Sequence, residues 1–456
     1  MLYDFIIADK GAKEPMYRQI YISIRNSIEN GNLKKNSKLP SIRGLSESLG
    51  VSKTTVIAAY DQLCAEGYIM TKPQSGYFVA AQFENKRKAV EIKDNISNKE
   101  NRYYEYDFSG KSIDGKIINL AEWKKKIKDI INRSYLLTSY GDAQGEETLR
   151  LALQKYALGT RSVISSAGNI IVGAGTQALL FQLCSILGQG KRVAVQKAGY
   201  VQSEFVFKSF GYEITYFESD LHGVTLKSLQ SIQPDIILIN PNFSGTSGAN
   251  MPVTRRLEII NWAAENNAII IEDDYNGELR YSTHPMPCVQ NHDPENTVYI
   301  GSFSKVLLPS VRISYMVLPE KLMKKFSKIK PIINQTASKT EQLALADYIN
   351  TNKIDAHLRK ARRIYLDKSK VTLESIEKHI PDCEIVFNET SMYVSIRLKN
   401  KVDREKIDNE LENASISLMP NKKADNEFGI SFSGIPIEKI DRGIKLLGDI
   451  LKDANI

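Results

Sequence analysis

The stretch Val298-Tyr-Ile-Gly-Ser-Phe-Ser-Lys305, followed by Val-Leu-Leu-Pro-Ser-Val-Arg312, decides how the rest of the chain is interpreted. Its first half is apolar and β-branched, which predicts a buried strand. Its second half brings two hydroxyls and one amine together, with an arginine seven residues after the lysine. A lysine whose pKa is lowered by burial forms an imine with an aldehyde cofactor, and the serines with Arg312 suit a doubly charged phosphate. The simpler alternative is a strand that ends in a solvated lysine.

The size and composition of the chain restrict the class of protein. At 456 residues the chain is too long for one ordinary domain, and 42% hydrophobic with 25% charged residues is typical of a globular protein. Because there is no apolar run of about 18 residues and no basic, apolar leader, we expect neither a membrane span nor a signal peptide. The four cysteines form no CxxC pair, which argues for reduced thiols in a cytoplasm and against a metal site. The net charge of +8 permits a polyanionic partner.

The first eighty residues predict a helix, two further helices joined by a tight turn, and a β-ribbon. Residues 15–29 have the apolar period of an amphipathic helix. Ser41 and Ser52 are the expected caps of the next two helices, and Gly50 supplies the turn between them. Residues 71–79 read as two short strands around a glycine turn. This order is that of a helix-turn-helix with a wing.

In such a domain the second helix of the pair enters the major groove with its N-terminus first. The residues expected to contact DNA therefore open the two helices or lie on the wing, and they are Arg43, Ser52, Lys53, Thr54, Thr55, Lys72 and Gly76. Arg43 and Lys53 would meet phosphate or a guanine edge, and the threonines would reach bases or phosphates. A winged helix that binds protein instead of DNA is the alternative.

The run Pro15–Val79 resembles the DNA-binding domain of the GntR family of bacterial transcription regulators. The motifs that carry this resemblance are Leu39-Pro-Ser-x-Arg, Gly50-Val-Ser-x-Thr-Thr-Val and Glu66-Gly-Tyr…Gly76-x-Phe-Val. The resemblance implies that the partner is double-stranded operator DNA. The chain departs from the family at Ala58, where relatives often have an arginine on the recognition helix, and this departure would change the operator that is read.

The composition changes sharply after the wing. Residues 81–106 are rich in Lys, Glu, Asn, Gln and Ser without an apolar period, which predicts a flexible linker. From residue 107 strands and helices alternate, as in an α/β domain with a mostly parallel sheet. We therefore predict a DNA-binding domain at 1–80, the linker at 81–106, and a second domain at 107–456 whose small C-terminal α+β part begins near residue 330.

Polar residues follow several predicted strands of this α/β domain. The turn Gly173-Ala-Gly-Thr-Gln177 ends one strand and opens a helix, so the backbone N–H groups of residues 175–177 predict an anion site. Another strand, Ala268–Asp274, ends in two aspartates. Because ligands of open α/β sheets bind at the carboxyl ends of the strands, we expect these groups to lie near Lys305.

These segments resemble the fold-type I aminotransferases, which use pyridoxal 5'-phosphate (PLP). Behind a GntR-like domain they resemble the MocR subfamily of regulators, over nearly the whole chain except the linker. The resemblance implies that Lys305 forms a Schiff base with PLP and that Asp273 pairs with the pyridine nitrogen, with Asp274 as the adjacent rival. The other implied contacts are Tyr275 with the phenolic oxygen, Tyr200 on the ring face, Gly175, Thr176, Gln177, Ser302 and Arg312 with the phosphate, and Tyr140 with the phosphate of the neighbouring subunit in a homodimer.

One segment departs from the aminotransferase pattern. Where the family usually reads Leu-Arg-Leu-Gly-Phe, with an arginine that binds the substrate's α-carboxylate, this chain has Phe-Gly-Ile-Ser-Phe, and Gly429 stands at the arginine position. A desolvated carboxylate without a bidentate cation is poorly compensated. Ordinary transamination is therefore in doubt unless Arg280 or Arg397 takes this role.

The sequence thus favours a PLP-dependent transcription regulator in a bacterial cytoplasm, associated with the nucleoid when bound to DNA. A homodimer would bind paired half-sites of double-stranded DNA. Its operator binding would respond to PLP, or to an amine or amino acid that reacts at Lys305. A working aminotransferase with an appended DNA-binding domain is the alternative.

Overall fold

The computed structural model describes residues 6, 9, 11–81, 103–197, 199–242, 250–274, 276–281, 286–388, 391–400, 402–420 and 425–453. The chain divides into two compact units, Met1–Glu100 and Asn101–Ile456. Most of the predicted linker and Tyr275 lie outside the described residues. Across the described ranges, no helix is both long enough and apolar enough to cross a membrane.

The helices and strands are numbered in chain order. The helices are α1 (Met16–Glu29), α2 (Ile42–Leu49), α3 (Lys53–Ala65), α4 (Leu120–Ile131), α5 (Glu147–Arg161), α6 (Thr176–Leu187), α7 (Val201–Ser209), α8 (Leu226–Ile232), α9 (Val253–Glu265), α10 (Glu320–Ile329), α11 (Lys339–Asn350), α12 (Lys353–His379), α13 (Arg404–Asn413) and α14 (Ile437–Asp453). The strands are β1 (Ile69–Lys72), β2 (Gly76–Val79), β3 (Tyr106–Phe108), β4 (Ile170–Gly173), β5 (Arg192–Gln196), β6 (Glu213–Phe217), β7 (Ser219–Asp220), β8 (Gly223–Val224), β9 (Ile236–Ile239), β10 (Ile269–Asp274), β11 (Thr297–Ser302), β12 (Ser314–Val317), β13 (Cys383–Phe387), β14 (Tyr393–Leu398), β15 (Ile416–Leu418) and β16 (Glu427–Ser431).

The first unit contains α1–α3 and the antiparallel hairpin of β1 and β2. Helix α2 begins after Ser41, whose Oγ accepts the N–H of Gly44 at 3.0 Å. It ends at Gly50, whose φ of +60° lies in the left-handed region that favours glycine. Helix α3 begins after Ser52, whose Oγ accepts the N–H of Thr55 at 3.1 Å. The predicted caps, the turn and the winged helix-turn-helix order are therefore confirmed.

The second unit is built on a seven-stranded sheet with the order β4-β12-β11-β10-β9-β5-β6. Strand β12 runs antiparallel to both of its neighbours, β4 and β11. The other neighbouring pairs, from β11 through β10, β9 and β5 to β6, are parallel. Every residue of β4, β9, β11 and β12 is buried, because apolar side chains pack on both faces of the sheet. The predicted α/β class with a mostly parallel sheet is confirmed. Parallel pairing places the C-terminal ends of β10 and β11, with their polar residues, side by side at one edge.

A smaller antiparallel sheet, β13-β14-β16, lies in the C-terminal part of the same unit. The start of the unit also contributes to this part, since β3 pairs in parallel with β15. Residues 106–118, which we name the lead-in segment, are further held by Asp114, whose carboxylate lies 2.7 Å from the buried Nζ of Lys368 on α12. This long-range return of the lead-in segment to the C-terminal part was not predicted.

Candidate cofactor site and nucleic-acid interface

Lys305 lies just beyond the C-terminal end of β11 and is largely buried. Burial lowers the pKa of its amine, which raises the neutral fraction that attacks an aldehyde. Its Nζ donates to the backbone oxygen of Gly110 at 2.6 Å. Gly110 belongs to the lead-in segment, where a φ of +71° requires glycine. The predicted strand-end position is confirmed, whereas the Gly110 contact had no signal in the sequence.

Asp274, at the end of β10, is fully engaged by structural partners. Its Oδ2 accepts from Nε of Arg161 at 2.6 Å and from the hydroxyl of Tyr299 at 2.9 Å. Its Oδ1 accepts from the amide of Asn242 at 2.7 Å. Arg161 and Asp274 are both completely buried. The hydrogen bonds from Tyr299 and Asn242 help to offset the cost of removing this ion pair from water. Asp274 therefore holds the strand end in place and has little capacity for a cofactor.

Asp273 is different, because successive residues of a strand point to opposite faces. It is buried, and among the described residues its Oδ1 has no hydrogen-bond partner. Burial and the nearby charge of Asp274 raise the pKa of Asp273 to about 7. Burial, and to a lesser extent the charge of Asp273, raise the pKa of Tyr200 to about 12, whereas the positive charge of Arg312 lowers it. Tyr200, Asp273 and Arg312 therefore share one neighbourhood at the carboxyl edge of the sheet.

The predicted anion site is at the start of α6. Gly175 has a φ of +94°, which favours glycine, and a Cβ at this position would force the guanidinium of Arg312 to move. The backbone N–H of Gly175 already donates to the oxygen of Gly173 at 2.9 Å, so Gly175 contributes space instead of the predicted donor. The first helical residues, Thr176 and Gln177, have the free N–H groups and positive dipole end that favour a phosphate.

The two serines before Lys305 have different surroundings. The hydroxyl of Ser302 is buried and accepts from the hydroxyl of Ser314 at 2.9 Å and from the N–H of Ser304 at 3.3 Å. The hydroxyl of Ser304 accepts from Nη1 of Arg312 at 3.4 Å. Ser304 is thus the serine beside the guanidinium, and the implied contact of Ser302 with the phosphate stays a prediction.

Tyr140 is 99% exposed, so its predicted phosphate contact is not made within one chain. Tyr275, the predicted partner of the phenolic oxygen, lies outside the described residues. Both assignments stay predictions. In the described part of the chain, no group of three or more His, Cys, Asp or Glu residues is arranged to hold a metal ion.

At the position where aminotransferases usually have the carboxylate-binding arginine, this chain has Gly429. Gly429 lies on β16, and an ideal Cβ built there would lie 3.0 Å from Cβ of Met419. A larger side chain at position 429 would therefore require Met419 to move. Arg397 is half-exposed and lies within 3.2 Å of Glu384, so it is committed to a surface ion pair. Arg280 is buried, and its Nη2 donates to the side-chain oxygen of Asn250 at 3.2 Å.

The predicted DNA contacts of the first unit lie on its surface. Arg43 is exposed and pairs with Glu47 one turn later on α2, with 2.9 Å between Nε and Oε1. At the start of α3, Oγ of Ser52 lies 2.7 Å from Oγ1 of Thr54 and 2.8 Å from Oγ1 of Thr55, so three hydroxyls are ordered around the helix cap. Lys53 is exposed beside them.

On the wing, Nζ of Lys72 lies 4.6 Å from the centroid of the Phe78 ring, a cation–π contact that holds the amine on the β-hairpin. Gly76 opens β2 with a φ of +99° and is exposed. These surface positions are compatible with the predicted DNA contacts, which stay predictions.

Two families match the two units. Residues 16–79 match the bacterial regulatory proteins of the gntR family, and residues 105–447 match aminotransferase class I and II. The HTH-type transcriptional regulator YhdI of Bacillus subtilis is 34% identical over 96% of each chain. The probable rhizopine catabolism regulatory protein MocR of Rhizobium meliloti is 28% identical over 91% of this chain and 88% of its own.

Solved structures agree with this division. An archaeal alanine:glyoxylate aminotransferase superposes with a TM-score of 0.70 at 21% identity, over 77% of this chain and 91% of its own. A multiple substrate aminotransferase from Thermococcus profundus gives a TM-score of 0.69 at 23% identity, over 80% of this chain and 95% of its own. These likenesses establish the fold of the second unit.

A GntR-type DNA-binding domain followed by an aminotransferase-like domain defines a transcription regulator. The chain belongs to the MocR subfamily of GntR-family transcription regulators. The aminotransferase class I and II match implies pyridoxal phosphate as the cofactor.

Proposed function

We propose that the second unit binds PLP through Lys305 and that the state of this site controls operator binding by the first unit. The observation that carries the proposal is Asp273, a buried carboxylate whose Oδ1 has no hydrogen-bond partner among the described residues. Such a group destabilises the fold unless a ligand compensates it. A protonated pyridine nitrogen would supply the missing donor. When bound, PLP supplies an aldehyde that captures amines and a ring that withdraws electrons.

The surrounding residues would have distinct tasks. Lys305 would bond covalently to the cofactor, and Asp273 would keep the ring nitrogen protonated. Arg312 would bind the phosphate at the start of α6, where Thr176 and Gln177 offer backbone N–H groups. The remaining contacts of this proposal are Tyr200 on the ring face, Tyr275 at the phenolic oxygen, Gly175 as the space for the phosphate, and Ser302 and Ser304 as hydroxyl donors.

A physical connection between site and linker supports the regulatory part of the proposal. The hydrogen bond from Lys305 to Gly110 reaches the lead-in segment, which follows the predicted linker 81–106 directly in the chain. A covalent bond at Nζ removes donors that now reach Gly110, so binding at Lys305 would change how the lead-in segment is held. A difference between two such states is what effector control of DNA binding requires.

We further propose that the protein acts as a homodimer on paired half-sites. The nearly complete exposure of Tyr140, together with 71% exposure of Tyr135 close by in the chain, supports a contact surface there. A two-fold dimer would place two copies of the domain at 1–80 on a palindromic operator. The proposed setting is a bacterial cytoplasm, with the dimer on the nucleoid when bound to DNA.

The substrate side of the pocket favours sensing over catalysis. Position 429 holds glycine beside Met419, and Arg397 is paired at the surface, so a carboxylate at this position would depend on the buried Arg280. We therefore favour PLP itself or an amine as the effector, and an amino acid would need Arg280 for its carboxylate. An aminotransferase with an appended DNA-binding domain would instead turn over an amino donor with a keto acid at ordinary enzyme rates.

The experiment combines cofactor chemistry with operator binding. Purified protein supplied with PLP should gain visible absorbance, and borohydride reduction followed by mass spectrometry should place the label on Lys305. Gel shifts with and without PLP should differ for the wild type and be identical for Lys305→Ala. As a control, Lys305→Arg keeps the positive charge but forms no imine, so it should behave like Lys305→Ala. Absence of the chromophore, or a PLP response that persists in both variants, would contradict the proposal.

A further inference from the structure

The exposed face of the recognition helix α3 is apolar in its middle. The exposed residues after its first turn begin with Ile57, which is 38% exposed, and Ala58. The opposite face is buried in the core of the unit, where Val56 and Tyr60 are inaccessible to solvent. Packing within the domain therefore does not explain an isoleucine on the outer side of this helix.

The polar groups that can hold DNA surround this apolar face without entering it. Arg43 lies on α2, Lys53 is the first residue of α3, and Lys72 is on the wing. The hydroxyl of Thr54 is turned back toward the cap, 2.7 Å from Oγ of Ser52. One turn beyond Ala58 the exposed residue is Asp61, whose negative charge disfavours both phosphates and the acceptor edge of guanine. The cations would fix the helix on the backbone, and the apolar middle would then face the floor of the major groove.

We propose that Ile57 and Ala58 contact thymine methyl groups, so that each operator half-site has A·T pairs opposite the middle of α3. The thymine C5-methyl is the apolar group that the major groove presents, and apolar side chains are its natural partners. Neither residue has a donor for guanine, so a G·C pair there would lose water from its polar edge without a replacement. The inference concerns the reading of DNA sequence and does not depend on the cofactor site.

The first test removes the methyl groups from the DNA. Operator half-sites are selected from a random duplex library with the full-length protein, and the affinity is then measured with thymine replaced by deoxyuridine at single positions. The selected sites should carry A·T pairs at the inner positions, and each contacted thymine should lose about fourfold in affinity, as expected for one methyl-sized apolar group. Selection of G·C pairs there, or equal affinity for thymine and deoxyuridine duplexes, would overturn the inference.

Protein variants complete the cycle. Ile57→Ala should weaken binding to the thymine duplex and reduce the effect of deoxyuridine at the thymine that Ile57 contacts, because the two changes delete the same contact. As the control, Lys53→Ala should weaken binding to both duplexes by the same factor and reduce the salt dependence. Ala58→Arg supplies a donor and should shift the selected pair toward G·C. An unchanged selected sequence for Ala58→Arg, or a deoxyuridine effect that Ile57→Ala leaves unchanged at every position, would contradict the assignment.

Discussion

Replacing Asp273 with asparagine should stabilise the cofactor-free protein, which is the opposite of the usual effect of changing a buried polar residue. Burial and Asp274 raise the pKa of Asp273 from 3.8 to about 7. At ~1.4 kcal/mol per pKa unit, holding this carboxylate ionised costs up to ~4 kcal/mol above pH 7. Because local relaxation and water penetration reduce such penalties, we expect Asp273→Asn to raise the free energy of unfolding by ~2–4 kcal/mol at pH 8.

The gain in stability from Asp273→Asn should depend on pH. Since the pKa of Asp273 is higher in the folded state, the folded protein binds more protons than the unfolded chain between about pH 4 and pH 7. The wild type therefore loses stability as the pH rises through this window, and Asp273→Asn should lose less. Near pH 5 the wild-type carboxyl is mostly protonated when folded, so the gain from the variant should shrink. Glu272 and Glu278, whose pKa values are also raised to about 7, act in the same direction in both proteins.

Urea unfolding followed by tryptophan fluorescence measures this effect in the correct unit, because both tryptophans, Trp123 and Trp262, lie in Asn101–Ile456. The matched control is Asp274→Asn, which leaves the buried Arg161 without its carboxylate and should cost ~3–5 kcal/mol. Adding PLP should stabilise the wild type more than Asp273→Asn. A variant less stable than the wild type at pH 8, or a gain of equal size at pH 5, would refute the account of Asp273.

Two further predictions follow from the contacts around the site. Gly175→Ala should weaken PLP binding at least about tenfold in absorbance titrations, because the new methyl group enters the space beside a guanidinium. Gly188→Ala, which also has a positive φ but open space around it, should leave PLP affinity unchanged, and equal losses in the two variants would contradict this reasoning. Asp114→Ala should lower the free energy of unfolding by ~3–5 kcal/mol, since Lys368 is left buried without its partner. Glu438→Ala removes an exposed ion pair and should cost much less than Asp114→Ala, so similar costs for the two variants would show that Asp114 is not a buried partner.

The sequence predicted those features that are encoded locally. Caps such as Ser41 and Ser52 predict that a helix begins at the next residue, and an apolar run such as the one before Lys305 predicts a buried strand. Because parallel strands align their carboxyl ends, the strand-end positions of Asp273 and Lys305 also predicted that the two would meet at one edge.

The features that were not predicted depend on residues far apart in the chain. Arg161 lies 113 residues from Asp274, and Gly110 lies 195 residues from Lys305. Neither contact produces a period or a motif, because each arises only when the sheet and the lead-in segment are assembled. The contact of Ser304 with Arg312 was also not predicted, since it depends on how the turn after β11 orients its side chains.

The proposed cofactor contacts and the position of the family's carboxylate-binding arginine differ in how well they match an aminotransferase. Among the cofactor contacts that we propose, Asp273 is a buried carboxylate whose Oδ1 has no hydrogen-bond partner in the described part of the chain, so a ligand would compensate it. By contrast, Gly429 lies beside Met419 in the place where an arginine would orient a carboxylate. A catalyst must bind the transition state more tightly than the substrate, and it uses remote anchors of this kind to do so. A regulator needs only that occupied and empty sites favour different arrangements of the chain. Under the proposed function, a chain with an amine for PLP at Lys305 and a glycine at position 429 suits sensing, and the hydrogen bond from Lys305 to Gly110 would join the site to the segment that follows the linker.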